Sequence, residues 1–173
     1  MKKNIYLIAA ADVKNGIGIK GKLPWKLKKD MAFFKKKTIK TQDANKLNMV
    51  VMGRTTWESI PKEHRPLPAR KNVVLTRKKD YIAEGATVVN SIDETIKKAG
   101  ERIEAIYVIG GAKVYEQFIK RRDLTGIYLT KIAKEYKCDA FFPKIPPSFK
   151  PKRLRTAEED GIRFEFLLYK RGK

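Results

Sequence analysis

With 173 residues, 42% of them hydrophobic, the chain has the length of one domain and enough apolar material for a sizeable core. Its apolar runs, such as 5–11 and 49–52, are too short to span a membrane, and a single cysteine, Cys138, excludes an intrachain disulfide and suits a reducing cytoplasm. Forty Lys and Arg against 19 Asp and Glu give a net charge of +21, which favours capture of anions, while the one histidine, His64, sits in a polar Pro-Lys-Glu-His-Arg-Pro stretch and leaves no Cys/His cluster for a metal.

Residues 5–11 open the chain as a buried strand. The lysines before them look like the start of a signal peptide, but the apolar segment is short and runs into Asp12 and Lys14, so it reads as core. Residues 27–38 form an amphipathic helix with Leu27, Met31, Phe34 and Thr38 on one face and lysines largely opposite. The polar segment 40–48 is a loop. A second strand, 48–52, ends at Gly53, and a short helix covers 55–60. Strands follow at 72–76 and 86–89. Ser91-Ile-Asp-Glu94 matches a capping box, so a helix runs from 92 to 99 and stops at Gly100.

A strand over 105–109 breaks at Gly110-Gly111 into a helix over 112–120, with Val114, Tyr115, Phe118 and Ile119 inward. Residues 126–132 are a strand and 143–151 a Pro-rich loop. Strands 152–157 and 162–169, joined at Asp160-Gly161, form an antiparallel hairpin. The pattern implies an α/β fold, one domain over 1–173. A mostly parallel sheet of about eight strands carries about four helices on its two faces, with the C-terminal hairpin as an antiparallel edge. The lysines are spread along the whole chain, with clusters at 26–29, 35–37 and 150–155 but no separate basic tail, which argues against a dedicated nucleic-acid arm.

Ligands bind open α/β sheets beyond the carboxyl ends of the strands. Here those ends are 9–12, 53–56, 76–77 and 110–112. Gly16-x-Gly18-x-x-Gly21 formally matches a dinucleotide fingerprint, but Val13-Lys14-Asn15 separate it from the strand and Pro24 stands where the helix should run. It reads as a mobile glycine-rich lid. Three signals carry chemistry. Asp30 lies early in the first helix, beside Met31 and Phe34, and an acid against an apolar patch is costly unless a ligand or partner pairs with it. A helix-start acid that only complements the dipole is the plainer alternative. Gly53-Arg54-Thr55-Thr56 places a cation and a helix start at a strand end, which suits a phosphate. Gly110-Gly111 lets another group approach the backbone closely.

In order, the chain contains Leu23-Pro24-Trp25 with an acid five residues on, Met-Gly-Arg-Thr-Thr-Trp-Glu-Ser-Ile (52–60), Arg-Pro-Leu-Pro-Ala-Arg-Lys-Asn (65–72), Ile-Gly-Gly (109–111), Tyr-Leu-Thr (128–130) and Phe-Phe-Pro (141–143). Over nearly its whole length it resembles the dihydrofolate reductases. The resemblance implies reduction of dihydrofolate by NADPH, with hydride passing from nicotinamide C4 to pterin C6. It assigns Asp30 as the acid that holds the pterin 2-amino group and N3, and Thr130 as its support. Leu23 and Trp25 join the catalytic set. Ile8, Met31, Phe34, Ile60, Leu67 and Ile109 become pocket walls. Arg70 becomes the clasp for the substrate's glutamate α-carboxylate, with Lys35 and Arg65 as weaker candidates at the same end.

On the cofactor side the resemblance implies Ala10, Ile17, Gly18, Gly21, Lys22 and Leu23 near the nicotinamide. Gly53, Arg54, Thr55 and Thr56 form the phosphate turn, and Leu75, Thr76 and Arg77 face the 2′-phosphate. Gly110, Gly111, Ala112, Lys113, Val114 and Tyr115 form the second pyrophosphate contact, with a cis peptide between the two glycines. Leu23 replaces a common methionine, Ala69 stands where glycine is frequent, and the +21 charge is atypical. The rival readings are a related pyrimidine reductase of riboflavin synthesis, which would not need Asp30, Phe34 and Arg70 together, and a basic nucleic-acid-binding protein. Nucleic acid is expected only non-specifically through charge, and the chain is expected to be cytoplasmic, a monomer or homodimer.

Overall fold

The strands richest in Val, Ile and Met are the ones buried on both faces. The computed structural model describes residues 3–172. β1 (Asn4–Ala11), β3 (Leu47–Gly53), β4 (Arg70–Leu75), β6 (Ile103–Val108) and β7 (Leu124–Ile132) fill the middle of an eight-stranded sheet. β5 (Thr87–Val89), β9 (Phe149–Glu159) and β10 (Ile162–Arg171) complete it in the order β5-β4-β3-β6-β1-β7-β10-β9. The pairings among β1, β3, β4, β5, β6 and β7 are parallel, and β10 runs antiparallel to both β7 and β9. The hairpin turns through Asp160 and Gly161, both at positive φ, as a two-residue turn between twisted strands requires.

Four helices cover the sheet. α1 (Lys28–Ile39) and α2 (Arg54–Ser59) lie on one face, where Phe33 and Trp57 join a core with Ile8, Val50, Met52, Tyr107 and Phe166. α3 (Ile92–Lys97) and α4 (Ala112–Ile119) lie on the other, with Val114, Phe118 and Ile119 against Leu7, Val51, Ile106 and Val108. Half of the capping box forms: Ser91 Oγ accepts from the Glu94 amide at 3.1 Å, while the Glu94 carboxylate accepts from the Asn90 amide at 2.8 Å, one residue before the N-cap. Among the described residues no helix is long and apolar enough to cross a membrane.

Three sequence expectations need correction. The core-facing stripe of α1 is Leu27, Asp30, Phe33 and Thr38, while Met31 is 50% exposed at the cleft. Phe33 packs on Phe166 with ring centroids 4.4 Å apart, so the sheet selects the i, i+3 row and leaves Met31 to the ligand side. The lysines lie largely opposite, with Lys37 the exception, over the rings of Phe33 and Tyr128. The segment 143–151 is loop only as far as Ser148: β9 begins at Phe149, and Pro151 is tolerated because the strand is an edge. The glycine segment is not a bare loop either. β2 (Gly16–Gly18) pairs with β8 (Ala140–Phe141) in a two-stranded sheet of its own.

Candidate active site

α1 delivers its acid into the sheet. Asp30, in the first turn, is 8% exposed, and the Thr130 hydroxyl on β7 donates a hydrogen bond to it. Burial pushes the Asp30 carboxyl above the usual carboxylate value; the Thr130 hydrogen bond opposes this, and the charge of Glu159 adds to it. Glu159 also builds the helix start. Leu27, at the N-cap position, has no side-chain oxygen, and the Glu159 carboxylate at the end of β9 accepts from the amides of Lys28 at 2.8 Å and Lys29 at 2.9 Å. Those two bonds hold Glu159 below its ordinary value. The turn that aims Asp30 is therefore fixed from the far end of the chain.

Around Asp30 the cleft walls are apolar: Ile8, Met31, Phe33, Phe34, Ile60, Leu67 and Ile109. Tyr115 closes the floor, its hydroxyl donating to the Ile8 carbonyl at 2.7 Å. Complete burial and the Asp30 charge keep that phenol well above its ordinary pKa. Trp25 is buried behind the cleft wall, edge-on to Tyr136 at 5.3 Å, and its indole N–H finds no acceptor in the protein. A buried donor of that kind calls for an oxygen from outside the chain.

Arg70 stands just beyond the cleft wall. It is buried; Nη1 donates to Thr38 Oγ1 at 2.8 Å and Nε to the Pro68 carbonyl at 2.9 Å, and the guanidinium lies 5.9 Å from the Phe34 ring centroid. Among the described residues no carboxylate pairs with it. Two of its five N–H groups are used, so the fork is oriented but not consumed. Arg65 is spent elsewhere, donating to the Trp57 carbonyl at 2.8 Å and stacking 5.3 Å above its ring. Lys35 is exposed outside the cleft. The structure thus brings neither of these two weaker candidates to the site, because α2 claims one and solvent the other.

The other half of the cleft is made of backbone. Gly53 N donates to Gly110 O at 2.8 Å, which locks the turns after β3 and β6 side by side. The Gly110-Gly111 peptide is cis, as the resemblance implied. Side chains are excluded here: a Cβ on Gly53 would lie 3.1 Å from Val114 Cγ2, and one on Gly111 would lie 3.3 Å from Thr56 Oγ1. No side chain caps α4; the Val114 and Tyr115 amides donate to the Gly111 carbonyl, both at 3.0 Å, and Ala112 and Lys113, the first two residues of the helix, line the cleft. Ala10, Ile17, Gly18, Gly21, Lys22 and Leu23 line one wall, and Thr55, Thr56, Leu75, Thr76, Arg77, Ala112 and Lys113 line the other. Arg54 is there too, but its Nη1 holds both Glu58 oxygens at 2.9 and 3.0 Å. That exposed pair is weak, so an incoming phosphate can compete for the arginine.

The lid is anchored by acids that the sequence reading missed. Asp12, fully buried, accepts from the amides of Lys14, Gly16 and Tyr136 at 2.8, 2.7 and 2.9 Å. Asp139 accepts from the Lys20 amide at 2.9 Å, while its own amide donates to Gly18 O. No helix follows Gly21, so the dinucleotide-like spacing is a decoy, as read.

Sequence reasoning also missed Asn90, Ser91, Ile92 and Asp93, and Lys78, Lys120 and Arg121, all on the cleft wall. Asn90 to Asp93 follow β5, so the strand-end rule could have found them. Ser91 was read only as a cap. His64, read as plain surface, is exposed but lies on the cleft edge.

The cleft encloses about 1790 Å³, well above the 300–1,000 Å³ of a single small-ligand pocket, so it has room for two ligands end to end. Fold and cleft define a class: a single-sheet α/β protein with one long cleft, a buried acid in an apolar slot at one end and two glycine turns along the other. The family model for dihydrofolate reductase matches residues 4–171. A dihydrofolate reductase of Heliothis virescens is 46% identical over 147 residues, 82% of this chain and 80% of that one. One of Aedes albopictus is 36% identical over 98% of both chains. A bifunctional dihydrofolate reductase-thymidylate synthase of Daucus carota is 38% identical over 98% of this chain, which spans 34% of that protein. The chain belongs to the dihydrofolate reductase family, whose members are NADPH-dependent oxidoreductases.

Proposed function

We propose that this chain reduces 7,8-dihydrofolate to 5,6,7,8-tetrahydrofolate in the cytoplasm, using NADPH, with Asp30 as its one catalytic acid. The observation that carries the reading is the buried Asp30 carboxylate, braced by Thr130 and set in an apolar slot. A carboxylate there accepts two parallel hydrogen bonds from the 2-amino group and N3 of a pterin, a planar charge-assisted pair. Its negative charge favours the protonated N5, which makes C6 electrophilic. Ile8, Phe34, Ile60 and Ile109 sandwich the ring and exclude water. Thr130 fixes the carboxylate plane. Trp25, with its unclaimed N–H, supplies a donor behind the acid, and Leu23 covers the mouth from the lid. Arg70 pairs with the glutamate α-carboxylate of the substrate.

The glycine cradle at Gly53, Gly110 and Gly111 and the uncapped start of α4 fit the pyrophosphate of a dinucleotide. Thr76 and Arg77, at the end of β4, stand at the 2′-phosphate end. When bound there, NADPH supplies the hydride from nicotinamide C4. Its transfer to C6, matched by a proton at N5, would reduce the C6=N5 double bond, and the residues above would hold the two rings in place for it. The chain's task is orientation, water exclusion and charge at N3.

The test follows NADPH absorbance with purified protein. The reading expects steady loss on adding dihydrofolate, one NADPH per tetrahydrofolate formed, and none without it. Equal loss in both arms overturns it.

A further inference from the structure

The α1 face of the sheet carries three tyrosines outside the cleft lining: Tyr6 near the start of β1, Tyr107 next to the end of β6 and Tyr128 midway along β7. Tyr6 and Tyr107 stack with centroids 5.4 Å apart, Tyr6 and Tyr128 are 5.3 Å apart, and Tyr107 and Tyr128 are 6.4 Å apart. Tyr6 and Tyr128 are half-buried. The rings occupy one another's faces, so they offer edges and hydroxyls rather than a stacking platform.

Register extends this row into cations. Leu168 pairs with both Tyr128 and Lys152, and Lys170 pairs with both Gly126 and Lys150, so Lys150, Lys152 and Lys170 share the tyrosine face. Lys37 of α1 hangs 4.9 Å over the Tyr128 ring, and Arg155 lies 4.5 Å over Phe166. Two of these cations, Lys37 and Arg155, sit on the same Phe33 ring at 5.7 and 5.8 Å.

Among the described residues no carboxylate comes within ion-pair distance of Lys37, Lys150, Lys152, Arg155 or Lys170, although Arg153 and Arg163 nearby have Glu165 and Glu158. Burial and the like charges of Lys36 and Lys40 push the Lys37 ammonium below its ordinary value. Uncompensated like charges held together cost stability unless an anion answers them.

We propose that this face binds the phosphate backbone of nucleic acid without sequence preference, through Lys37, Lys150, Lys152 and Lys170 with the tyrosine hydroxyls as additional donors. A polyanion spaced along a chain matches cations spread over α1, β9 and β10. An anionic membrane would ask for apolar side chains to enter the bilayer beside the lysines, and on β9 only Leu154, 39% exposed at the bulge, is of that kind. This face meets the cleft at the Phe33 ring, but none of its four lysines lines the cleft, so binding leaves reduction unaffected.

The test uses a fluorescein-labelled 20-nucleotide single strand and anisotropy at 50 and 200 mM salt. Four backbone contacts predict a slope of about −2.8 in log affinity against log salt, a loss of roughly fiftyfold across that range. K37Q/K150Q/K152Q/K170Q should bind at least tenfold more weakly at 50 mM with unchanged turnover and a melting temperature no lower than that of the wild type. The distant set K62Q/K97Q/K98Q/K144Q, equal in charge removed, should bind within threefold of wild type. No binding by the wild type at 50 mM overturns the proposal, and so does an equal loss in both variants. Vesicles of anionic lipid bound more tightly than the oligonucleotide, and lost in the same variant, also overturn it. A salt slope near zero in the wild type does so without any substitution.

Discussion

Asp30 and Arg70 are both buried, and both keep hydrogen-bonding capacity that the protein does not use. For Asp30 the consequence is a stability cost with a definite sign. Its folded pKa lies above the unfolded value because burial penalises the charge. The favourable contribution is therefore complete below the unfolded pKa and is lost as pH rises through the folded one. Asp30→Asn should accordingly raise the melting temperature of the ligand-free protein at pH 7, with the gain shrinking toward pH 4; thermal melts at the two pH values decide it, and an unchanged or lowered melting temperature at pH 7 counts against the burial argument. Arg70 acts on binding rather than chemistry. Arg70→Ala should raise KM for dihydrofolate about ten- to a hundredfold, the worth of a charge-assisted pair, with kcat within about threefold. A fall in kcat with KM unmoved contradicts the clasp role. Asp30 was legible in the sequence because an acid next to Met31 and Phe34 is a local anomaly. Asp12 was not: it looks like an ordinary residue after a strand, and its three backbone donors come together only when the lid folds over it.

Among the elements, α1 depends most on the rest of the chain. Its period was readable, but the choice of stripe was not, since Phe33 and Phe34 are equivalent until the hairpin supplies Phe166. Its start has no local cap; Glu159, on another element, provides one. Glu159 is held below its ordinary value, so its contribution is present above the unfolded carboxylate pKa and is lost as pH falls through the folded one. Glu159→Ala should lower the melting temperature at pH 7, lose that difference in acid, and reduce kcat because the first turn aims Asp30. Glu159→Gln, whose amide oxygen still accepts, should recover part of both. If the Ala variant melts lower but keeps full kcat, Glu159 is a cap and not a positioning residue. The lid shows the same limit on sequence reading. Its glycines were visible, but the pairing of Gly16–Gly18 with Ala140–Phe141 joins segments more than a hundred residues apart.

For the whole molecule, apolar strands alternating with helices made a mostly parallel sheet with an antiparallel terminal hairpin legible, but not the strand order, which depends on which strands pair across the chain. The strand-end rule located most of the cleft. It passed over the residues after β5, a strand of only three residues whose end is hidden by the capping box that follows it. Charge was legible as a sum, +21, and as runs at 35–37 and 150–155, but not as one surface, because Lys37, Lys150, Lys152 and Lys170 become neighbours only through sheet register and the packing of α1. What joins these scales is a single carboxylate held in an apolar slot by a helix, a threonine and a capped first turn. The most direct measurement is the steady-state turnover of Asp30→Asn with NADPH and dihydrofolate at neutral pH, on protein whose melting shows it folded. The account predicts a loss of at least a hundredfold in kcat/KM, within the range that a positioned acid contributes to a proton-coupled step. Activity within about twofold of the unaltered chain would contradict it.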